Sequence, residues 1–298
     1  MTQSTSRSVV VRSSHILLVK VVAAKQGPWV PFKPGLKSRK VQLSIAIAET
    51  LRGKIDPAPD GPVDVTVEQT DYDGELMMQP LQGSWSRVPI DPGPELVTFS
   101  DSGSRRAERV LEEPACKLVV PAEQVLPGLR IAAQTLVRDL PLKQTLDLAA
   151  PVTGRLDPIF AEFLWEQYAD ETMASQPAFD SLAEFSERKE LTPKTRQALI
   201  DGAYNLVSLR GDETPTRGQR LALTMCRVLL MPDAADLHEN LIGTYLPNLL
   251  GITSGLPPQP ASRVFENREP ERNAVEAFLR RQGTDVDASP LLEWIRIK

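Results

Sequence analysis

Two cysteines and two histidines in 298 residues leave little room for several classes of chemistry. Cys116 and Cys226 stand in different halves without metal-type spacing. A small disulfide-stapled secreted fold is therefore excluded, and reduced thiols are expected. His238-Glu239 opens like a zinc-protease helix, but Ile242 occupies the place of the second histidine. His15 lies in an apolar stretch, where a structural role is expected. The chain has no Gly-x-x-x-x-Gly-Lys phosphate loop and no Gly-x-Gly-x-x-Gly after a strand. In Gly251-Ile-Thr-Ser-Gly255 the serine falls fourth, one place too late for a nucleophile elbow. No apolar run approaches the ~18 residues that span a bilayer. The apolar patch near the start is broken by Arg12, His15 and Lys20, unlike a signal peptide. The expectation is a cytoplasmic protein with no transmembrane segment, no catalytic group, no cofactor and no metal.

Aromatic residues make up only 5% of the chain, whereas hydrophobic content is 41% and charged content 24%. Those last two values are ordinary for a globular protein. Plentiful Arg, Ala, Leu and Pro suit a GC-rich bacterial genome. A net charge of −5 and a pI near 5.3 argue against nucleic-acid binding by the whole chain.

The hydrophobic period changes at Pro151–Tyr168. Before this stretch apolar residues alternate between turn signals; after it they recur at helical spacing. Asp157 is a good N-cap with Pro158 at the first helical position. The helix that follows carries Ile159, Phe160, Phe163, Leu164, Trp165 and Tyr168. The predicted architecture is α+β with segregated halves: a β-rich domain at 1–150, a helical bundle at 151–252, and a Pro-rich linker with a further helix and apolar tail at 253–298.

Strands are expected at Val9–Val11 with Ile16–Ala23, Val41–Leu51, Val63–Glu68, Gly83–Ile90, Glu95–Phe99, Lys117–Val120, Leu129–Leu136 and Gln144–Leu148. A helix is the alternative at Leu129–Leu136. Eight short strands suggest an antiparallel sandwich or a small barrel. Gly27–Lys40, with three prolines and two glycines, reads as a loop. Asp71-Tyr-Asp73-Gly74 lacks the third position and closing Glu of a calcium loop, and Asp-Gly is a hairpin turn signal.

In the helical half, Thr192 with Pro193 opens a helix to Leu209, and Gly211 stops it. Further helices are expected near 157–172, 180–190, 216–230 and 235–246. Glu162, Glu166 and Asp170 share a face there, but the Glu-x-x-His partners of a di-metal bundle are missing.

Charge is distributed unevenly. Residues 1–54 hold ten Lys or Arg and one acid, whereas residues 55–113 hold thirteen acids and four Arg. Lys33, Lys37, Arg39 and Lys40 crowd beside Trp29 and Phe32. Basic and aromatic residues together suit an anionic partner, either a nucleic acid or an acidic membrane surface. The competing explanation is that strands of opposite charge pair across one sheet and cancel.

The tail is unusually apolar, with Leu291, Leu292, Trp294, Ile295 and Ile297 within seven positions. It is expected to dock, in cis or on a protein partner. Three functions follow. The first is a non-catalytic adaptor binding protein through the helical domain or tail. The second is an anionic-ligand module using residues 27–40. The third is an enzyme with a site at the domain junction, around His238, Glu162 and Glu166.

Overall fold

A computed structural model describes residues 8–72, 93–112, 115–209, 215–229, 231 and 245. The chain divides into two compact units, 1–166 and 167–298.

The first unit is built on one open antiparallel sheet. Its strands are β1 (His15–Gln26), β2 (Val30–Lys33), β3 (Leu36–Arg52), β4 (Val63–Tyr72), β5 (Glu95–Ser100) and β6 (Cys116–Pro121). β4 pairs one edge of β3 over residues 36–45, while β1 and then β2 line its other edge. β5 joins β1 only along His15–Lys20, and β6 closes the described order. The expected sandwich or barrel is therefore not formed. The six strands make a single layer, and helices cover it where an opposing sheet would stand.

Burial follows the sequence pattern. Val41, Leu43 and Ile45 alternate on β3, and Val63, Val65 and Val67 on β4. They join Leu17, Val19, Val21 and Leu96 in one core, closed by α2 (Ala107–Leu111) through Ala107, Val110 and Leu111. Ile16, Leu18, Val97 and Phe99 are buried on the opposite face, the side on which α3 packs. The unbroken His15–Val19 run is therefore covered on both faces. Beyond Lys20 only one face of β1 is covered.

Three expected strands are instead helical. Val9–Arg12 is one α-turn, α1, capped by the Ser8 hydroxyl. Ala122–Arg138 is helix α3, which buries Val125, Gly128, Leu129, Ala132 and Thr135 at helical spacing. Asp139 ends it in the left-handed conformation at φ 52°. Leu142–Ala149 is α4, which buries Leu142, Thr145, Leu146 and Ala149. Arg130 ties α3 to β3 through a paired contact with Glu49 at 2.9 and 2.6 Å. A 3₁₀ segment (Ala150–Arg155) leads to α5 (Pro158–Gln167). Asp157 caps α5 as expected, accepting hydrogen bonds from the Ile159 and Phe160 amides. Phe160, Phe163, Leu164 and Trp165 are buried.

The second unit is helical. α5 stops at Gln167, because Tyr168 leaves the helical region at φ −109° and ψ 16°, and α6 (Ala169–Ala174) starts afresh. Then come α7 (Gln176–Ser186), α8 (Pro193–Leu209) and α9 (Pro215–Leu229). α7 packs on α6, α8 and α9. Its Phe179, Leu182, Ala183 and Phe185 are buried. The Thr192 hydroxyl accepts from the Thr195 amide, capping α8 as the sequence requires. Glu187 ties α7 to α9: its carboxylate accepts from Arg220, Thr224 and Arg227 at 2.8–3.2 Å.

The expected strand at Gly83–Ile90, the Asp73-Gly74 turn, the 235–246 helix and the linker, last helix and tail lie outside the described residues. Among the described residues no helix is long and apolar enough to cross a membrane.

Candidate functional site

The expected basic loop is the tip of a β-hairpin. β1 runs to Gln26, the chain kinks at 27–29, and β2 resumes antiparallel to the start of β3. The Gly27 amide donates to the Lys40 carbonyl at 2.8 Å and carries the ladder across the kink. Lys33 pairs with Leu36, leaving Pro34 and Gly35 as a two-residue turn. Proline presets φ near −65° and Gly35 lies at φ +74°, the combination a type II turn requires. The glycines and prolines thus shape the hairpin at its kink and turn, and they do not prevent it.

All four residues of β2 are exposed. Of the six large apolar side chains exposed among the described residues, Val22, Trp29, Val30 and Phe32 are on this one arm. Val30 and Phe32 each retain 49% exposure and Trp29 38%. The Arg39 guanidinium lies 4.4 Å from the Trp29 ring centre and the Lys37 ammonium 5.5 Å away. Lys33 sits 5.2 Å from the Phe32 ring centre. Such pairs favour a cation held against the ring's negative face. Arg39 is further fixed by hydrogen bonds to the side-chain oxygens of Gln69 and Gln26, at 2.9 and 2.5 Å. Both partners are neutral amides, so Arg39 is oriented without losing its charge.

The site residues do not all meet. Trp29, Lys37 and Arg39 form one cluster, on the face that continues the buried Val41–Leu43–Ile45 stripe. Phe32 and Lys33 form a second, at the turn. Lys40 alternates to the opposite face, where its register partner is Glu68. Lys37 is opposite Asp71 and Lys20 opposite Glu95. Three of the ten cations of residues 1–54 are therefore set against an acid of residues 55–113 across the sheet. The strand cations with neutral register partners are Lys33 (Leu36), Arg39 (Gln69), Lys25 (Gln42) and, at the far end of β3, Arg52 (Ile16). Sequence reading missed the contribution of Val30 and the positioning amides Gln26 and Gln69. The Pro34-Gly35 turn was the signal that could have revealed the hairpin.

Behind the hairpin, Ala23, Lys25, Gln42, Ser44, Asp64 and Thr66 border an open hollow of about 370 Å³. The Ser44 hydroxyl donates to Asp64 there, so this serine is held by an acid, and among the described residues no histidine bonds to it.

The other expected groups sit in structural settings. His15 is buried, its Nδ1 3.0 Å from the Ser14 hydroxyl and its Nε2 3.2 Å from the Lys54 carbonyl. A carbonyl only accepts, so Nε2 carries the hydrogen. Cys116 and Cys226 are buried free thiols. Burial pushes the Cys226 thiol up to about 12, far from the range of a nucleophilic thiolate. Glu162 and Glu166 belong to α5 and Asp170 to α6, so the expected acidic stripe is broken at Tyr168. Burial raises the Asp157 carboxyl to about 6, with Glu162 adding to the effect and the two amide bonds opposing it. Among the described residues no group of three or more His, Cys, Asp or Glu is placed to hold a metal ion. His238 and the tail residues Leu291, Leu292, Trp294, Ile295 and Ile297 lie outside the described residues.

Comparison with protein-family models, with curated proteins and with solved structures finds no match.

Proposed function

We propose that this chain is a non-catalytic interaction protein that meets an anionic partner surface with the hairpin at residues 26–40. One observation carries this reading: the arm that concentrates the exposed apolar side chains also holds cations against both of its aromatic rings. An exposed apolar patch attracts a partner by its area, and flanking cations select a negatively charged one. The buried setting of His15 and both cysteines supports a binding role over a catalytic one.

Retention on immobilised heparin, a general polyanion, tests the reading. A Lys33→Glu, Lys37→Glu double variant should elute at clearly lower salt than the parent chain, with an unchanged circular dichroism spectrum. Identical elution of the two folded proteins would remove the hairpin as the contact element.

A further inference from the structure

Resting on that reading, we infer that the anionic surface is an acidic lipid bilayer, met end-on by the hairpin tip. Three features of the tip point there, and each disfavours a nucleic acid.

The first is where positive charge survives. A groove that follows a phosphate backbone needs cations along its length. Here the shaft of the sheet alternates in sign: Lys20 opposes Glu95, Lys40 opposes Glu68 and Lys37 opposes Asp71. At the hairpin end Lys33 at the turn and Arg39 behind Trp29 have neutral partners, as do Lys25 further down the arm and Arg52 at the far end of β3. A charged end fits a flat surface better than a strand laid along the sheet.

The second is how the rings are used. A nucleobase stacks on an open aromatic face. The Trp29 face carries Arg39 and Lys37, and the Phe32 face carries Lys33. An amphipathic ring backed by a cation is suited to the headgroup boundary, where its apolar edge enters and its cation stays with phosphates.

The third is the apolar content of the tip. Val30 and Phe32 are half exposed on a strand with no buried residue. Phosphate contacts alone would need no such side chains, whereas interfacial insertion does.

Vesicle flotation of the full chain is the test, with phosphatidylcholine alone and with added phosphatidylserine. Binding is expected only with the acidic lipid, and should weaken as salt shortens the screening length from about 10 Å at 0.1 M. Lys33→Gln should lower the partition coefficient roughly fivefold, whereas Lys33→Arg should leave it unchanged. The Trp29→Ala, Phe32→Ala variant should lose binding even at low salt while keeping its thermal transition. Tryptophan emission should shift to the blue on vesicle addition, and Trp29→Phe should abolish the shift. Equal binding to neutral vesicles, or no binding to either kind, overturns the inference. So does tight binding of single-stranded DNA by a chain that ignores vesicles. If the hairpin variants lose heparin retention and no vesicle is bound, only the bilayer falls and the anionic-partner reading stands.

Discussion

Gly128 of α3 faces Phe160 of α5 so closely that a Cβ on the glycine would stand 2.8 Å from the Phe160 Cβ and 3.2 Å from its Cγ. The two helices meet where one of them has no side chain, and Phe160 is fully buried at that point. The aromatic helix, read in the sequence as the opening of the helical half, therefore packs against the helix that covers the sheet. Gly128→Ala should destabilise the protein. Better helix propensity contributes about 1 kcal/mol, but overpacking a filled site typically costs about 1–3 kcal/mol. The clash is with the root of the ring, which rotation cannot move, so the cost should fall toward the upper end of that range and leave a net loss of up to about 2 kcal/mol in urea unfolding. An unchanged midpoint would show that the two helices part easily.

Asp157 should make stability depend on pH in the sense opposite to most carboxylates. Its carboxyl is raised to about 6, above the ~3.9 of the unfolded chain. Between these values the folded state binds the extra proton, so this contribution is fully present below about pH 4 and lost as pH rises through 6. Asp157→Asn keeps an oxygen for the Ile159 and Phe160 amides without the buried charge. The variant should gain up to about 2–3 kcal/mol over the parent at pH 7, and the gap should close toward pH 4. A gap that does not vary with pH would refute the assignment.

Glu187 holds three partners on α9. Its side chain is 17% exposed and that of Arg220 14%, so this pair is partly desolvated and weakly screened. Glu187→Ala should cost about 2–3 kcal/mol, more than a surface ion pair, because Arg220 and Thr224 lose an acceptor inside the unit. The loss should change little between low and moderate salt. Hydrogen exchange along α9 should accelerate first.

Arg196 is fully buried in α8, where one guanidinium nitrogen donates to the carbonyls of Arg188, Lys189 and Leu191 at 3.1–3.4 Å. It braces the turn between α7 and α8. Arg196→Lys should not be conservative, since the shorter lysine side chain cannot carry its ammonium to the point from which the terminal guanidinium nitrogen reaches all three carbonyls. A loss of about 2–4 kcal/mol is expected in denaturant unfolding. Parent-like stability would mean that the 187–192 turn holds without the arginine.

The α+β division could be read from period alone, since Val41-Leu43-Ile45 and Val63-Val65-Val67 can bury one face only as strands. The Asp157 and Thr192 caps were equally legible, because a cap needs just its own side chain and the next turn. The 122–149 region was not. Leu129, Ile131 and Ala133 alternate well enough to suggest a strand, and Pro127 discourages a helix. Packing against the sheet decided for the helix that buries Val125, Gly128, Leu129 and Ala132 together.

At the hairpin, sequence by itself determined that aromatic and basic residues would be crowded between Gly27 and Lys40. Only the tertiary structure decided which charges remain unopposed. That outcome depends on the β3–β4 register, which places Glu68 opposite Lys40 but Gln69 opposite Arg39. A slip of one residue would bring either Glu68 opposite Arg39 or Gln69 opposite Lys40 and turn the side chains to the other face. Register is set by how the buried Val41–Leu43–Ile45 and Val63–Val65–Val67 stripes of the two strands meet in the core, a relationship between segments that neither segment contains alone.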